Sequence, residues 1–396
     1  MNQSASSNAR SGIYAIWDER LTAAEREHIG RVSRFCDEHI VPLLQGNGAT
    51  GPFSRGLIEK WGALGLPGLQ TPAELGGLGA SYFAKIAMVQ ELARRSFAAA
   101  FSLNNMQSLV LSIVTRGSPV VRDLYASSLL RGELVASVAL TEPSGGSDLG
   151  AMQTTARQVE GGWCLNGEKT WIANAAIADL AVVSAQAGSG TKGIGRFIVD
   201  IREPGAERLA PCPVAAGHLV GLGGFRLVDY FVPDTHVMDP PGEAFRLSMQ
   251  SINGARVHVA AMCVAVAQAS LSTAIGYCRQ RQAFGRRLLD HQGLRWKLVD
   301  VANQIEAANL LAFRAAELIE ADTDATLAAA HAKKFAGEMA VEAIEESAQA
   351  VGANASLATY PFMRNMAEIK LAAYADGTTE MQNERIGSYL EKHYAG

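Results

Sequence analysis

The sequence predicts an α+β protein with three consecutive domains, the first helical, the second β and the third helical. Apolar residues recur every three or four positions from Thr22 to about Arg131, as in amphipathic helices. From Leu134 to about Asp239 the pattern changes to short β-branched or aromatic runs. Helical periodicity then returns. We therefore expect four segments, which are a flexible tail at 1–20, a helical domain at 21–133, a β domain at 134–240 and a helical bundle at 241–396.

The elements within these domains follow from the same patterns. Glycine and proline breaks around 41–52 and 65–80 divide the first domain into several helices. In the β domain, strands are expected in ELVASVALT, TTARQVEGGWCLNGEKTWI, ADLAVVSAQ, RFIVDIR and FRLVDYFV. After the Pro240-Pro241-Gly242 break, long helices are expected near 244–282, 292–321 and 325–351, with a final helix near the C-terminus. Their many alanines favour close packing of helices.

The composition excludes several classes of function. The 35 Lys plus Arg and 39 Asp plus Glu give a net charge of -4, which disfavours nucleic acid or an anionic membrane as partner. Five cysteines occur in no CxxC pairing, and no histidines show metal-ligand spacing, so no metal site or disulfide framework is expected. A basic leader followed by an apolar run is absent from the sequence, as is any uninterrupted run of 18 apolar residues. These features predict a soluble, cytoplasmic protein.

The motif LTEPSGGSD at 140–148 joins a predicted strand to a Gly/Ser turn. Free backbone amides at its glycines and the hydroxyls of Thr141 and Ser147 could line the polar edge of a ligand. Some 20 residues later, EKTWIANA places Trp171 in a strand, where its indole could lie against a planar ligand. Each motif alone has an ordinary structural explanation, a turn for the first and core packing for the tryptophan.

Three further motifs complete a resemblance to the acyl-CoA dehydrogenase family. They are RQAFGRRLLDHQ (281–292), QAVGANA (349–355) and ADGTTEMQNERIG (375–387). With TEPSGGSD and the WIAN segment, they are similar to the family's motifs in the same order along the chain. The resemblance implies the family's fold, with an N-terminal helical domain, a middle β-barrel or sandwich domain and a C-terminal four-helix bundle.

FAD is the cofactor that the resemblance implies, with the flavin between the β domain and the C-terminal bundle. The family's cofactor contacts correspond to Leu140, Thr141, Gly146, Ser147, Trp171, Ile172, Ala173, Arg281, Phe284, Gln292, Gln349, Gly352, Thr378 and Glu380. Its substrate contacts correspond to Ser147, Asn253 and Arg256. In the family, the RxxFG arginine and phenylalanine and the glutamine-glycine loop reach the FAD of a neighbouring subunit. A homo-oligomer, usually a tetramer, is therefore implied.

The activity that the resemblance implies is the α,β-dehydrogenation of an acyl-CoA or related thioester. A carboxylate sheltered from water removes the α-proton while the β-hydrogen leaves as hydride to the flavin. The family's base is a glutamate, and Asp376 occupies its position. Electrons would pass to an electron-transfer flavoprotein or a similar acceptor.

Two departures from the family pattern leave alternatives open. Asp376 is one methylene shorter than glutamate, and Ala173 replaces the threonine or serine that lies beside the flavin in relatives. The lost hydroxyl could leave room for O2, so the runner-up hypothesis is a flavin oxidase or oxygenase acting on a CoA-linked or carrier-linked intermediate. A third hypothesis is a protein that binds FAD without catalysis, in which Asp376 only caps the helix that begins near Thr378.

Overall fold

The computed structural model describes residues 15–45 and 49–394. Its first helical domain contains α1 (Ala15–Asp18), α2 (Ala23–Phe35), α3 (Arg55–Ala63), α4 (Tyr82–Ala93), α5 (Phe97–Arg116) and α6 (Pro119–Leu130). A serine or threonine hydroxyl caps the start of each helix from α2 to α6 by accepting a backbone N–H three residues later. These caps explain why the helices begin where the breaks in the sequence end.

The predicted tail at 1–20 is wrong for its last part. Residues 1–14 lie outside the described residues, but Trp17 in α1 is completely buried. Its indole N–H donates a 2.7 Å hydrogen bond to Asn309 Oδ1 in the C-terminal bundle. The chain therefore packs onto the fold from α1 onwards. Burial of the large Trp17 side chain offsets the conformational entropy lost when the short helix is ordered.

The middle domain is built on an eight-stranded sheet. Its strands are β1 (Ala136–Ala139), β2 (Thr155–Val159), β3 (Gly162–Ile172), β4 (Leu180–Gln186), β5 (Ile194–Asp200), β6 (Ala206–Arg208), β7 (Gly223–Pro233) and β8 (Val237–Asp239). The order is β6-β7-β3-β2-β4-β5-β8, and β1 pairs in parallel with β4. The short strands β6 and β8 were not predicted, since three residues are too few to show an alternating pattern.

The C-terminal domain contains α7 (Ala244–Gln280), α8 (Gln292–Glu320), α9 (Thr326–Val351), α10 (Phe362–Tyr374) and α11 (Thr379–Tyr394). Two helices follow α9 where the sequence predicted one. A small antiparallel hairpin, β9 (Gln282–Ala283) and β10 (Arg286–Arg287), separates α7 from α8. The hairpin lies at the RQAFGRR segment.

Helices α5 and α7 are long and apolar enough to cross a membrane, but most of each is buried inside the protein. Both are core helices of this fold. The predicted α+β class, with a sheet domain between two helical domains, is confirmed.

Candidate active site

The turn at 140–148 is held rigidly against β3. The Thr170 N–H donates to the Thr141 carbonyl over 3.0 Å. Glu142 is buried and accepts hydrogen bonds from Lys169 Nζ (2.7 Å) and from the backbone N–H groups of Gln153 (2.7 Å) and Thr154 (2.9 Å). Burial raises the pKa of Glu142, but these donors outweigh it and hold the pKa below its usual value. The carboxylate is therefore ionised and fully engaged.

The anchored turn presents polar groups outward. Lys169 Nζ also donates to the Leu140 carbonyl over 3.2 Å, so the first residue of the motif is fixed as well. Gly146 lies so close to Thr141 that a Cβ at this position would come within 3.1 Å of its side chain. Gly146 and Ser147 are exposed and Thr141 is partly buried. The Gly146 and Ser147 amides and the Ser147 hydroxyl are thus accessible, whereas the Gly145 N–H donates to the Glu142 carbonyl over 3.0 Å.

Trp171 follows directly and is not a core residue. Its side chain is 59% exposed, and its backbone has a φ of +56°, which is rare for an aromatic residue. The register of β3 against β7 shifts between Lys169 and Ile172, and this irregularity turns the indole out of the sheet. Core packing is therefore excluded for Trp171, whereas Ile172 is buried and Ala173 is partly buried.

A second group of predicted site residues lies at the turn between α10 and α11. Asp376 and Gly377 both have left-handed backbone conformations, with φ values of +53° and +88°. Two cations from the bundle hold the carbonyls of this turn. Arg256 Nε in α7 donates to the Asp376 carbonyl over 3.1 Å, and Lys333 Nζ in α9 donates to the Gly377 carbonyl. Gln382 Nε2 also donates to the Gly377 carbonyl, over 3.0 Å.

The Asp376 carboxylate is in an environment that favours its protonated form. Within residues 15–45 and 49–394, no group donates a hydrogen bond to it. Burial raises the pKa of Asp376, and the positive charges of Lys333 and Arg256 oppose that rise only in part. Thr378 Oγ1, not Asp376, accepts the N–H of Met381 at the start of α11, over 3.4 Å. Capping of α11 is therefore not the role of Asp376.

The predicted substrate residues Asn253 and Arg256 form part of this second group. Arg256 donates to Asn253 Oδ1 over 2.8 Å, and Asn253 Nδ2 donates to Thr326 Oγ1 over 2.9 Å. Burial and the charge of Arg385 lower the pKa of Arg256 to about 10, although Asp376 opposes the shift. The Asn253 amide thus bridges α7 and α9 and orients Arg256 toward the turn. Glu380, in the first turn of α11, is exposed.

A third group lies around the hairpin and the end of α9. Phe284 is 96% exposed with a φ of +53°, and Arg281 is exposed without a carboxylate partner in the described part of the chain. The remaining predicted members are Gln292, which is exposed at the first residue of α8, and Gln349 and Gly352, which are exposed at the end of α9. No hydrogen bond or ion pair among the described residues joins this group to the other two.

Four residues of the site were missed in the sequence: Glu142, Lys169, Lys333 and Gln382. Each is a buried polar side chain that holds a carbonyl or completes an ion pair. The signal for Lys333 was a cation on a helix face otherwise formed by Ala329, Ala332 and Ala336. A charge on an apolar stripe is rarely buried without a partner.

Comparison with known proteins identifies the family. The acyl-CoA dehydrogenase N-terminal, middle and C-terminal domain models match residues 22–133, 137–218 and 242–390. Three curated relatives are similar over almost their full length. The 3-(aryl)acrylate reductase of Clostridium sporogenes is 31% identical over 93% of this chain and 99% of its own. An acyl-CoA dehydrogenase of Bacillus subtilis is 32% identical over 91% and 96%. The caffeyl-CoA reductase-Etf complex subunit CarC of Acetobacterium woodii is 31% identical over 87% and 91%.

Solved structures agree. Butyryl-CoA dehydrogenase from Megasphaera elsdenii superposes with a TM-score of 0.89 and 28% identity, covering 94% of this chain and 99% of its own. The FAD complex of PigA superposes with a TM-score of 0.88 and 25% identity, covering 94% and 98%. Three matching domains and near full-length relatives leave no doubt about the classification. The chain belongs to the acyl-CoA dehydrogenase family of oxidoreductases.

Proposed function

We propose that this enzyme interconverts an acyl-CoA and its α,β-unsaturated form with FAD as cofactor, and that Asp376 is the base that moves the α-proton. The observation that supports this role is the environment of the Asp376 carboxylate. The carboxylate receives no hydrogen bond from the described residues, its pKa is raised by burial, and its turn is fixed by two cations. A carboxylate with raised basicity at a fixed position is what abstraction of a weakly acidic C–H requires.

The residues present fit FAD. The indole of Trp171 is exposed on a strained backbone, and the neighbouring turn presents the amides of Gly146 and Ser147, which donate to no acceptor among the described residues. Such a flat surface beside a polar edge suits an isoalloxazine ring. Arg281 offers a charged fork of the kind that binds pyrophosphate, and Phe284 offers an exposed ring for the adenine. When bound, FAD supplies the acceptor for the hydride that leaves the β-carbon.

The protein groups then have separate tasks. The Asp376 carboxylate takes the α-proton, or returns it when the unsaturated thioester is reduced. The backbone N–H of Asp376 has no acceptor among the described residues and is free to donate to the thioester oxygen as negative charge develops there. Arg256 holds the Asp376 carbonyl, so the N–H and the carboxylate of one residue keep a fixed relative orientation.

The comparisons do not favour the oxidase or oxygenase alternative, since the relatives described above are dehydrogenases and reductases. One relative is a subunit of a complex with Etf. We therefore propose an electron-transfer flavoprotein as redox partner. Which direction the enzyme takes in the cell depends on that partner, because the same residues serve both directions.

Anaerobic mixing with a panel of acyl-CoAs tests the proposal. Bleaching of the oxidised flavin with at least one saturated thioester, or reoxidation of the reduced enzyme by an unsaturated one, is expected. Failure of every thioester in both directions would refute it. Admitting O2 to the reduced, product-bound enzyme should give slow reoxidation, whereas rapid formation of peroxide or an oxygenated product would restore the oxidase hypothesis.

We further propose that the enzyme is a homo-oligomer in which Arg281, Phe284 and Gln349 complete the FAD site of a neighbouring subunit. The exposure of these side chains supports it, since all three are accessible to a neighbouring subunit. Mixing of two inactive variants, Asp376→Asn and Arg281→Ala, under conditions that exchange subunits should then restore activity. In such hybrids one site combines both defects and another site has neither, so activity returns only if the site is shared. No recovery would contradict a shared site.

A further inference from the structure

The strongest feature without an assigned role is Lys333 beneath the Asp376 turn. Its side chain is buried on α9, where only 2% of the residue is exposed. Its ammonium donates to the Gly377 carbonyl and has no carboxylate within ion-pair distance among the described residues. An ammonium buried without a partner carboxylate is costly, so a purely structural role explains it poorly.

The geometry of the turn gives the ammonium a task. Asp376 is a non-glycine residue at a positive φ, a conformation that is strained in L residues although aspartate tolerates it better than most. The two successive carbonyls of 376 and 377 are held by separate cations from separate helices, Arg256 in α7 and Lys333 in α9. Bonds to charged donors are the stronger hydrogen bonds of proteins. Together they maintain a strained turn that the Gln382 amide alone would hold more weakly.

We propose that Lys333 is a positioning residue for the reaction, because its charged side chain fixes the Gly377 carbonyl and so holds the Asp376 carboxylate in its working orientation. This inference rests on the proposed function for the meaning of that orientation. Lys333 lies outside the family motif, on a different helix, and its side chain contacts the backbone of the turn.

The charges around Lys333 make its effect dependent on pH. Burial lowers the pKa of Lys333 to about 8, while Asp376 and Cys263 oppose the shift, Arg256 adds to it and Glu380 opposes it. Lys333 in turn keeps the pKa of Asp376 lower than burial alone would set it. Removal of the Lys333 charge should therefore raise the pKa of Asp376. On acidification, Asp376 would then become protonated, and stop acting as a base, at a higher pH than in the wild type.

The test compares Lys333→Met with Lys334→Met in the FAD-loaded enzyme. Lys334 is the next residue on α9 and makes a 2.6 Å ion pair with Glu338 on the surface, so its replacement removes the same charge without touching the turn. For Lys333→Met we expect kcat to fall about 10- to 100-fold, as for a misplaced reacting group, with a much smaller change in KM. The acid limb of the kcat profile should move to higher pH. Lys333→Arg, which keeps the charge, should recover part of the rate, and Lys334→Met should match the wild type.

Two measurements separate this inference from the proposed function and from a folding defect. Hydrogen exchange at Ala375, Met381 and Gln382, whose amides are hydrogen-bonded around the turn, should become about tenfold faster in Lys333→Met alone. That result is independent of any thioester chemistry. Thermal stability should be unchanged or higher, because a buried ammonium is replaced by an apolar chain. Unchanged exchange together with an unmoved acid limb would overturn the inference, as would equal effects in Lys334→Met.

Discussion

Two groups of predicted site residues each contain a carboxylate, Glu142 buried and Asp376 partly buried, and the settings of the two carboxylates are opposite. Glu142 in the β domain receives three strong hydrogen bonds, including one from Lys169, and its pKa is lowered. Asp376 in the bundle receives none from the described residues, and its pKa is raised. In its turn the cations bind the backbone carbonyls instead. Hydrogen bonds donated to a carboxylate lower its pKa and its basicity. Hydrogen bonds donated to the adjoining backbone carbonyls fix the position of the residue without satisfying the carboxylate, which stays basic.

The largest expected effect comes from the reactive member of this pair. Asp376→Asn should reduce the rate of flavin bleaching by acyl-CoA by about 10²- to 10⁴-fold, since the amide cannot take the proton. FAD content and thioester binding should persist. Asp376→Glu is the matched variant, because it keeps the charge and lengthens the side chain to that of the family. Bleaching at the wild-type rate in Asp376→Asn would show that Asp376 is not the base.

Substitution of Glu142, the carboxylate with the lowered pKa, should reduce stability and leave the chemical step intact. Glu142→Gln leaves Lys169 as a buried cation without its counter-charge, so unfolding free energy should fall by about 3–5 kcal/mol. Chemical denaturation measures the loss. The double variant Glu142→Leu/Lys169→Met removes both charges and should recover much of the stability. If Glu142→Gln were fully stable but unable to transfer protons, Glu142 would be the reactive group and the comparison would be reversed.

The exposed tryptophan extends the comparison to the cofactor. Trp171→Ala should weaken FAD binding by about 3- to 10-fold, equivalent to the 0.5–1.5 kcal/mol of one aromatic stacking contact, and should leave the melting temperature of the apoprotein almost unchanged. Trp163, whose ring centroid lies 5.4 Å from that of Phe197, is the control. Its replacement by alanine should lower stability and leave FAD affinity intact. Titration of apoprotein with FAD and thermal melts distinguish the two results.

The smallest effect is the dependence on pH. Only ionised Asp376 accepts a proton, and its pKa is raised from 3.8. On acidification, the rate should therefore fall at pH values where a free aspartate would still be ionised. Stability has the opposite sign. A raised folded-state pKa means that the ionised side chain opposes folding above that pKa. Asp376→Asn should therefore be more stable than the wild type near neutral pH, and this difference should disappear as the pH falls below the unfolded value. A constant difference across pH would show that Asp376 is not perturbed.

The sequence by itself determined the succession of domains and the position of each motif. The periodicity of apolar residues changes from one domain to the next, and five ordered motifs predicted the family, FAD and Asp376. Regular elements and local motifs are properties of short segments, so they can be inferred without knowledge of the fold. Elements of two or three residues, such as β8 and the hairpin at 282–287, carry too little pattern to be predicted.

Only the tertiary structure decided what surrounds each site residue. Lys333 and Arg256 are separated by 77 positions yet hold neighbouring carbonyls, and Lys169 lies 27 positions after the Glu142 that it neutralises. Whether Trp171 is packed or exposed likewise depended on an irregularity between β3 and β7. Burial, charge and backbone strain at a residue come from segments distant in the sequence. The chemistry of Asp376 could therefore be named from its motif, but the cause of its basicity required the fold.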